Sequence, residues 1–196
     1  MSGPHTTIVR GLPSGSEAQA AALYWQAFGD KLGKLLGPEE RARTFFTATI
    51  NPSAVLSAID NDSNLLGIAA VKTGDKGFSD AGLTDLWRHY GFGTLWRVIP
   101  LALLERSAPK GVLQMDGICV SADARGKGVG TALLNAVFDT GREAGFRAVR
   151  LDVIDRNARA KALYQRMGFV AISEESTGPL RPLLGFSTAT RMEKQL

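Results

Sequence analysis

Between Val120 and Gly130 the chain reads VSADARGKGVG: an apolar run ends, a basic loop with three glycines follows, and a strongly helical run begins at Thr131. A strand that passes through such a loop straight into a helix builds an anion cradle. Residues without Cβ let the backbone approach a ligand, and the helix start offers unpaired N–H groups and the positive end of the helix dipole. The expected ligand is a pyrophosphate, which needs two flanking features. An extended strand must come before the loop, and a helix must follow it directly.

Two familiar pyrophosphate motifs do not fit. A P-loop requires Gly-Lys followed by Ser or Thr, but Lys127 stands between two glycines and Val129 follows Gly128. A dinucleotide fingerprint built on Gly126 and Gly128 needs a third glycine where Thr131 stands. What remains is Arg-x-x-Gly-x-Gly, formed by Arg125, Gly128 and Gly130. About 30 residues further on, Leu151 to Phe169 reads LDVIDRNARAKALYQRMGF, with Asn157 opening a helix, Tyr164 seven residues later and a terminal Gly168-Phe169.

Together these two blocks resemble the acetyl-CoA signature of the GNAT superfamily of N-acetyltransferases, closely over Val112 to Ile172 and in architecture elsewhere. The resemblance implies an α/β fold, an α+β mixed sheet in which the fourth and fifth strands splay apart to admit the pantetheine arm of acetyl-CoA. It implies cofactor contacts from the backbone of Ile118, Cys119 and Val120, from the loop Arg125, Gly126, Lys127, Gly128, Val129 and Gly130, and from Thr131 and Asn157. Asn157 is equally a favoured helix N-cap, and Arg125 and Lys127 read equally as solvated loop cations.

The chemistry follows from the same residues. Transfer of an acetyl group to an amine needs a neutral amine and a proton for the departing thiolate. The resemblance puts a phenol, Tyr164, in place as that acid; Asn157, Lys161 and Tyr164 would share one helix face. Asp116 is the candidate base or substrate contact, because a carboxylate within an apolar strand is costly without a partner or a purpose, and burial would raise its pKa toward that of a useful base. Asp152 reads as structural. Cys119 reads as a small buried hydrophobe, not a nucleophile. His5 and His89 have no partners at metal-ligand spacing, so no metal is expected.

At 196 residues, 44% of them hydrophobic and 21% charged, the chain is expected to be one soluble domain over 1–196. A single cysteine leaves no internal disulfide, and the N-terminal MSGPHTTIVRGLP has no signal-peptide pattern, so the expected location is cytoplasmic. The net charge of +4 has no basic run behind it and suits a polyanionic cofactor as well as nucleic acid; neither nucleic acid nor a membrane is an expected partner.

The remaining elements follow from periodicity. A strand is expected at Thr6 to Val9, and a helix opened by a capping box of Ser16 and Gln19. A second helix should run from Pro38 to before Pro52, followed by a hairpin of Val55 to Ile59 and Leu65 to Val71. Strands are expected at Val112 to Val120, placed centrally, and at Ala148 to Ile154. Helices are expected at Thr131 to Ala144 and Asn157 to Met167, and a closing strand pair at Val170 to Ser173 and Phe186 to Met192. An inserted helical segment at about 83–105, broken near Gly91 and Gly93, is extra to the resembling fold. Trp87, Tyr90, Phe92 and Trp96 would form an acceptor lid hinged on Gly74, Gly77, Gly82, Gly91 and Gly93, or a surface buried in a homodimer. The acceptor is read as an amine of a small molecule or peptide. The alternative function is a CoA-binding sensor or scaffold without turnover.

Overall fold

The computed structural model describes residues 6–72, 77–104, 108–178 and 181–196. Seven strands form one sheet in the order β1-β2-β3-β4-β5-β7-β6. The strands are β1 (Thr7–Arg10), β2 (Val55–Ile59), β3 (Leu65–Lys72), β4 (Val112–Val120), β5 (Ala148–Ile154), β6 (Val170–Ser176) and β7 (Thr188–Gln195). All neighbours are antiparallel except β4 and β5, which are parallel. β4 sits at the centre of the order, as its long apolar run predicts.

Helices cover both faces. On one side lie α1 (Glu17–Leu36) and α2 (Glu39–Thr49), with α3 (Leu83–Tyr90) and α4 (Thr94–Leu104) joined by a 3-10 turn at Gly91–Gly93. On the other lie α5 (Val129–Glu143) and α6 (Ala158–Arg166); α7 (Arg181–Leu184) is a single turn between β6 and β7. α1 buries Ala20, Leu23, Leu32, Leu35 and Leu36, the three- and four-residue spacing of an amphipathic helix. α5 does the same with Val129, Leu133, Leu134, Val137 and Phe138 against Leu113, Met115, Val149 and Leu151 of the sheet. Leu35, Leu133 and Leu134 are fully buried, each such side chain contributing about 1.5–3 kcal/mol of transfer free energy.

Three expectations are corrected. Ser16 stands at the start of α1 but makes no side-chain cap, its φ of −94° and ψ of 4° lying outside the extended conformation of a capping residue, and the Gln19 side chain donates to Leu65 O at 3.4 Å instead of closing a capping box. α5 begins at Val129, two residues before the expected start at Thr131, since Gly128 at φ +84° is itself the left-handed residue that launches the helix. α7 has no counterpart in the sequence reading. The expected end of the inserted segment at Glu105 lies outside the described residues, as do His5 and Gly74.

α3 and α4 are bolted onto the C-terminal end of α1. Tyr90 Oη donates to Leu36 O at 2.7 Å, and Arg97 donates through Nε to Leu35 O at 2.6 Å. The guanidinium lies 4.6 Å from the Tyr90 ring and 4.3 Å from the Trp96 ring. These bonds satisfy carbonyls that the end of a helix leaves open. They tie the segment to the end of α1. Among the described residues, no helix is long and apolar enough to cross a membrane.

Candidate active site

The site starts from an interruption in the sheet. β4 and β5 pair only at Val112↔Ala148, Leu113↔Val149 and Gln114↔Arg150; beyond that point the two strands part. The fork opens into a cleft of about 940 Å³, floored by Gln114, Asp116, Gly117 and Ile118 of β4 and by Asp152 and Ile154 of β5. Tyr24 and Phe28 of α1 and Leu86 of α3 form its roof, and Tyr164 and Asn157 of α6 close the far side.

A second irregularity sits on β4. Its register with β3 runs Ala70↔Gly117 and then Val71↔Met115, so Asp116 is the extra residue of a β-bulge. Leu113 and Met115 before the bulge, and Ile118 after it, pack toward the α5 core, whereas Cys119 belongs to the α1 core. The bulge therefore turns both Asp116 and Gly117 to the α1 face, where the cleft lies. Asp116 Oδ2 accepts from Phe78 N at 2.9 Å. Two glycines make room for this: a Cβ on Gly77 would collide with the Asp116 carboxylate, and one on Gly117 would lie 2.7 Å from Cε2 of Phe28.

Tyr164 is buried, packed against Phe169 with ring centroids 5.7 Å apart, and lines the cleft. Burial, and secondarily the nearby Cys119, push its pKa well above the ordinary phenol value. Burial also raises the thiol pKa of Cys119, which is 3% exposed and so sits as an inert core residue. Asn157 caps α6, its Oδ1 accepting from Ala160 N at 3.1 Å, while it also lines the cleft. Lys161 turns away to donate to Thr190 Oγ1 at 3.0 Å. Asp152 takes the structural part expected of it through one oxygen, Oδ1, which accepts from Arg191 Nε at 3.1 Å.

The glycine loop lies at the C-terminal end of β4. Gly126 and Gly128 have φ values of +77° and +84°, and a Cβ on either would meet nothing within 4 Å. Here glycine serves conformation and leaves open space above the backbone. Gly130 serves packing, since its Cβ would lie 3.2 Å from Leu163 Cδ2 where α5 meets α6. No side chain caps the start of α5, so the first-turn amides of Val129, Gly130 and Thr131 lack a side-chain acceptor. Arg125 folds back to donate through Nε to Val120 O at 3.1 Å, stapling the loop to β4.

The aromatic residues of the inserted segment do not line the cleft. Tyr90 points into the core, Trp87 and Trp96 are each 47% exposed, and the segment's inward contacts come from the aliphatic Leu86, Val98 and Leu101, with the exposed Leu83 at the rim. The residues that sequence reasoning missed are Tyr24, Phe28 and Phe78. Tyr24 stacks on Phe78 at 4.0 Å and 8°, and its pKa is raised by burial and by Asp116. Tyr24 and Phe28 signal themselves in the sequence through the apolar stripe of α1, which does not distinguish cleft from core, and Phe78 is an aromatic within a loop.

Known proteins resemble the chain in sequence and in fold. The chain is 30% identical over 130 residues to a mycothiol acetyltransferase of Corynebacterium jeikeium, covering 64% of this chain and 36% of that protein. It is 29% identical over 167 residues to a mycothiol acetyltransferase of Beutenbergia cavernae, covering 82% and 52%. The chain thus spans about a third to a half of the length of these curated relatives. In fold it resembles a GCN5-related N-acetyltransferase from Kribbella flavida, with a TM-score of 0.61, 20% identity and coverage of 97% and 98%. It also resembles a histone acetyltransferase HPA2 and related acetyltransferase from Corynebacterium glutamicum, with a TM-score of 0.65, 20% identity and coverage of 96% and 95%. Residues 19–169, from α1 through the end of the second motif, match the acetyltransferase (GNAT) family, and with the forked sheet and the glycine loop in place the chain belongs to that family.

Proposed function

We propose that the protein transfers an acetyl group from acetyl-CoA to an amine by direct attack in a ternary complex. The observation that carries this is the fork between β4 and β5, which joins the glycine loop at one end to a cleft lined by Tyr164 and Asp116. In this reading the amides of Gly126, Lys127, Gly128, Val129, Gly130 and Thr131 hold the pyrophosphate, with Arg125 fixing the loop. The backbone of Ile118, Cys119 and Val120 lies beside the pantetheine arm, and Asn157 touches it from α6. Asp116 takes a proton from the ammonium, the neutral nitrogen bonds to the carbonyl carbon, and the C–S bond breaks. Tyr164 donates its proton to the departing thiolate and is reprotonated from the attacking nitrogen or solvent, so each turnover releases one proton. Release of free thiol from acetyl-CoA, followed across an amine panel, tests the proposal. Tight CoA binding without thiol release on any amine would favour the sensor or scaffold reading instead.

The outward face of α3 and α4 supports self-association as the quaternary state. Leu83, Trp87, Phe92, Leu95, Trp96 and Ile99 are all exposed, Phe92 at 81%, and Trp87 and Phe92 meet edge to face at 5.3 Å. Taking about 200 Å² for a fully exposed large apolar side chain, these six offer roughly 750 Å², close to the ~800 Å² per partner of a standard interface. The face is fixed by Tyr90 and Arg97, and a second copy of the chain is the occupant proposed. Phe92→Glu should convert a dimer to a monomer in sedimentation; a wild-type monomer at tens of micromolar would refute it.

A further inference from the structure

The floor of the fork holds two buried acceptors with no donor. Gln114 is 4% exposed, and its Nε2 donates to Met115 O at 3.2 Å, which fixes the orientation of the amide and leaves Oε1 facing away from that bond. Gln114 Oε1 and Asp152 Oδ2 are both buried and unpartnered among the described residues. Leu151 and Val153 of β5, like Leu113 and Met115 of β4, belong to the α5 core. Alternation along each strand therefore sends Gln114 and Asp152 to the opposite face, and both line the cleft. A buried acceptor without a donor is costly, and two of them on one floor call for a ligand rich in N–H groups.

Charge points the same way. Arg191, the partner of Asp152, also pairs with Glu175 at 2.9 Å, so one cation is shared between two carboxylates. Arg150 is taken up by Glu193 at 2.7 Å. The cleft as a whole is lined by Asp30, Asp80, Asp116 and Asp152 against Lys72 and Arg156. Above the fork, the lining changes character. Leu32, Leu36, Phe45, Phe46, Leu86 and Leu101 make it largely apolar, and two of its polar residues are taken up by the protein itself. Ser79 Oγ donates to Thr49 Oγ1 at 2.8 Å, and Asp80 Oδ1 accepts from Asn51 Nδ2 at 3.3 Å.

Resting on the acetyl-transfer reading, we infer that the acceptor is a primary amine on an aromatic or branched aliphatic body. Its ammonium donates to Gln114 Oε1 and Asp152 Oδ2, and its apolar part lies under α2 and α3. Asp152 and Gln114 bind and position the ammonium; Asp116 remains the base. A polyhydroxylated amine is disfavoured, because the largely apolar lining of the upper cleft would strip its hydroxyls of water.

The test is calorimetry on CoA-saturated protein with three probes: 2-phenylethylamine, 2-phenylethanol and glucosamine. Wild-type protein should prefer the amine over the alcohol by about 10- to 100-fold, the range for hydrogen bonds to a charged group. Glucosamine should bind at least about 10-fold more weakly than the phenyl amine. Gln114→Met keeps the shape without the acceptor, and Asp152→Asn removes the charge. Each should cut the preference for amine over alcohol to about threefold or less, roughly the loss of one such bond, with CoA affinity unchanged. If Asp152→Asn fails to fold through loss of the Arg191 pair, Gln114→Met still decides. A preference that is absent in wild type, a preference that survives in Gln114→Met, or glucosamine binding as tightly as the phenyl amine would each overturn the inference. If CoA itself does not bind, the acetyl-transfer reading fails separately, and the same titrations on ligand-free protein still read the subsite.

Discussion

Tyr164→Phe removes one hydroxyl from a ring that is 6% exposed. No hydrogen bond among the described residues ends on that hydroxyl, and the ring contact with Phe169 is kept. Stability should therefore hold within about 1 kcal/mol. The rate should not. General acids contribute 10²- to 10⁴-fold, and burial places this phenol above its ordinary value while a free thiol titrates near 8.5. Proton transfer to the thiolate is thus uphill, which puts the expected loss near the lower end, about 10²-fold or about 2.7 kcal/mol of barrier. Single-turnover thiol release at saturating acetyl-CoA reads the step, with calorimetry to show unchanged CoA affinity. The pH profile gives a second check: a raised pKa keeps the phenol protonated, so the wild-type rate should hold through pH 10 instead of falling as an ordinary tyrosine ionises. An unchanged rate in the variant, with chemistry shown to be limiting, would remove Tyr164 from the reaction.

Gly128→Asp should abolish CoA binding in a folded protein, since φ is +84° and no atom lies within 4 Å of a new Cβ; the expected strain is about 1–2 kcal/mol, and calorimetry checks the affinity. Gly117→Ala should displace Phe28, whose ring the new Cβ would overlap, and raise the acceptor KM about 10-fold with CoA affinity unchanged; a KM equal to wild type would show that Phe28 does not contact the acceptor. Alkaline pH should destabilise the fold. Burial raises the pKa values of Tyr24, Tyr90 (to about 12), Tyr164 and Cys119, so the folded chain keeps protons that the unfolded chain loses. Their contribution is complete below about pH 8.5 and declines above it by up to about 1.4 kcal/mol per pH unit for each group; urea midpoints unchanged between pH 8 and 10.5 would refute this.

Much of this fold was legible because apolar runs and glycine turns mark their own ends. The expected spans of β4, β5 and the β2–β3 hairpin agree with the structure to within a residue. What escaped the sequence depends on partners distant along the chain. The Gln19 side chain is drawn to β3 and not back to Ser16, and the bulge at Asp116 exists only in the register with β3. Helical spacing in α3 and α4 shows an aromatic stripe without saying which side faces the protein. Tyr90 and Arg97 settle that through carbonyls more than fifty residues away. The unpaired oxygen of Gln114 depends on where the sheet forks, which no local pattern in β4 encodes.

The fork also bears on how the protein avoids aggregation. An open strand edge is ordinarily a template for another chain. Beyond Gln114 and Arg150, β4 and β5 each expose such an edge, yet both lie in the middle of a seven-stranded sheet, flanked by paired strands on either side. A neighbouring polypeptide would have to pass its side chains between α1 and α6 to reach them. A thin, flexible chain that can hydrogen-bond with amides, as a pantetheine arm can, has no such difficulty. In the acetyl-transfer reading the gap selects by thickness: it would admit the cofactor's arm and exclude the intermolecular strand pairing that exposed edges invite.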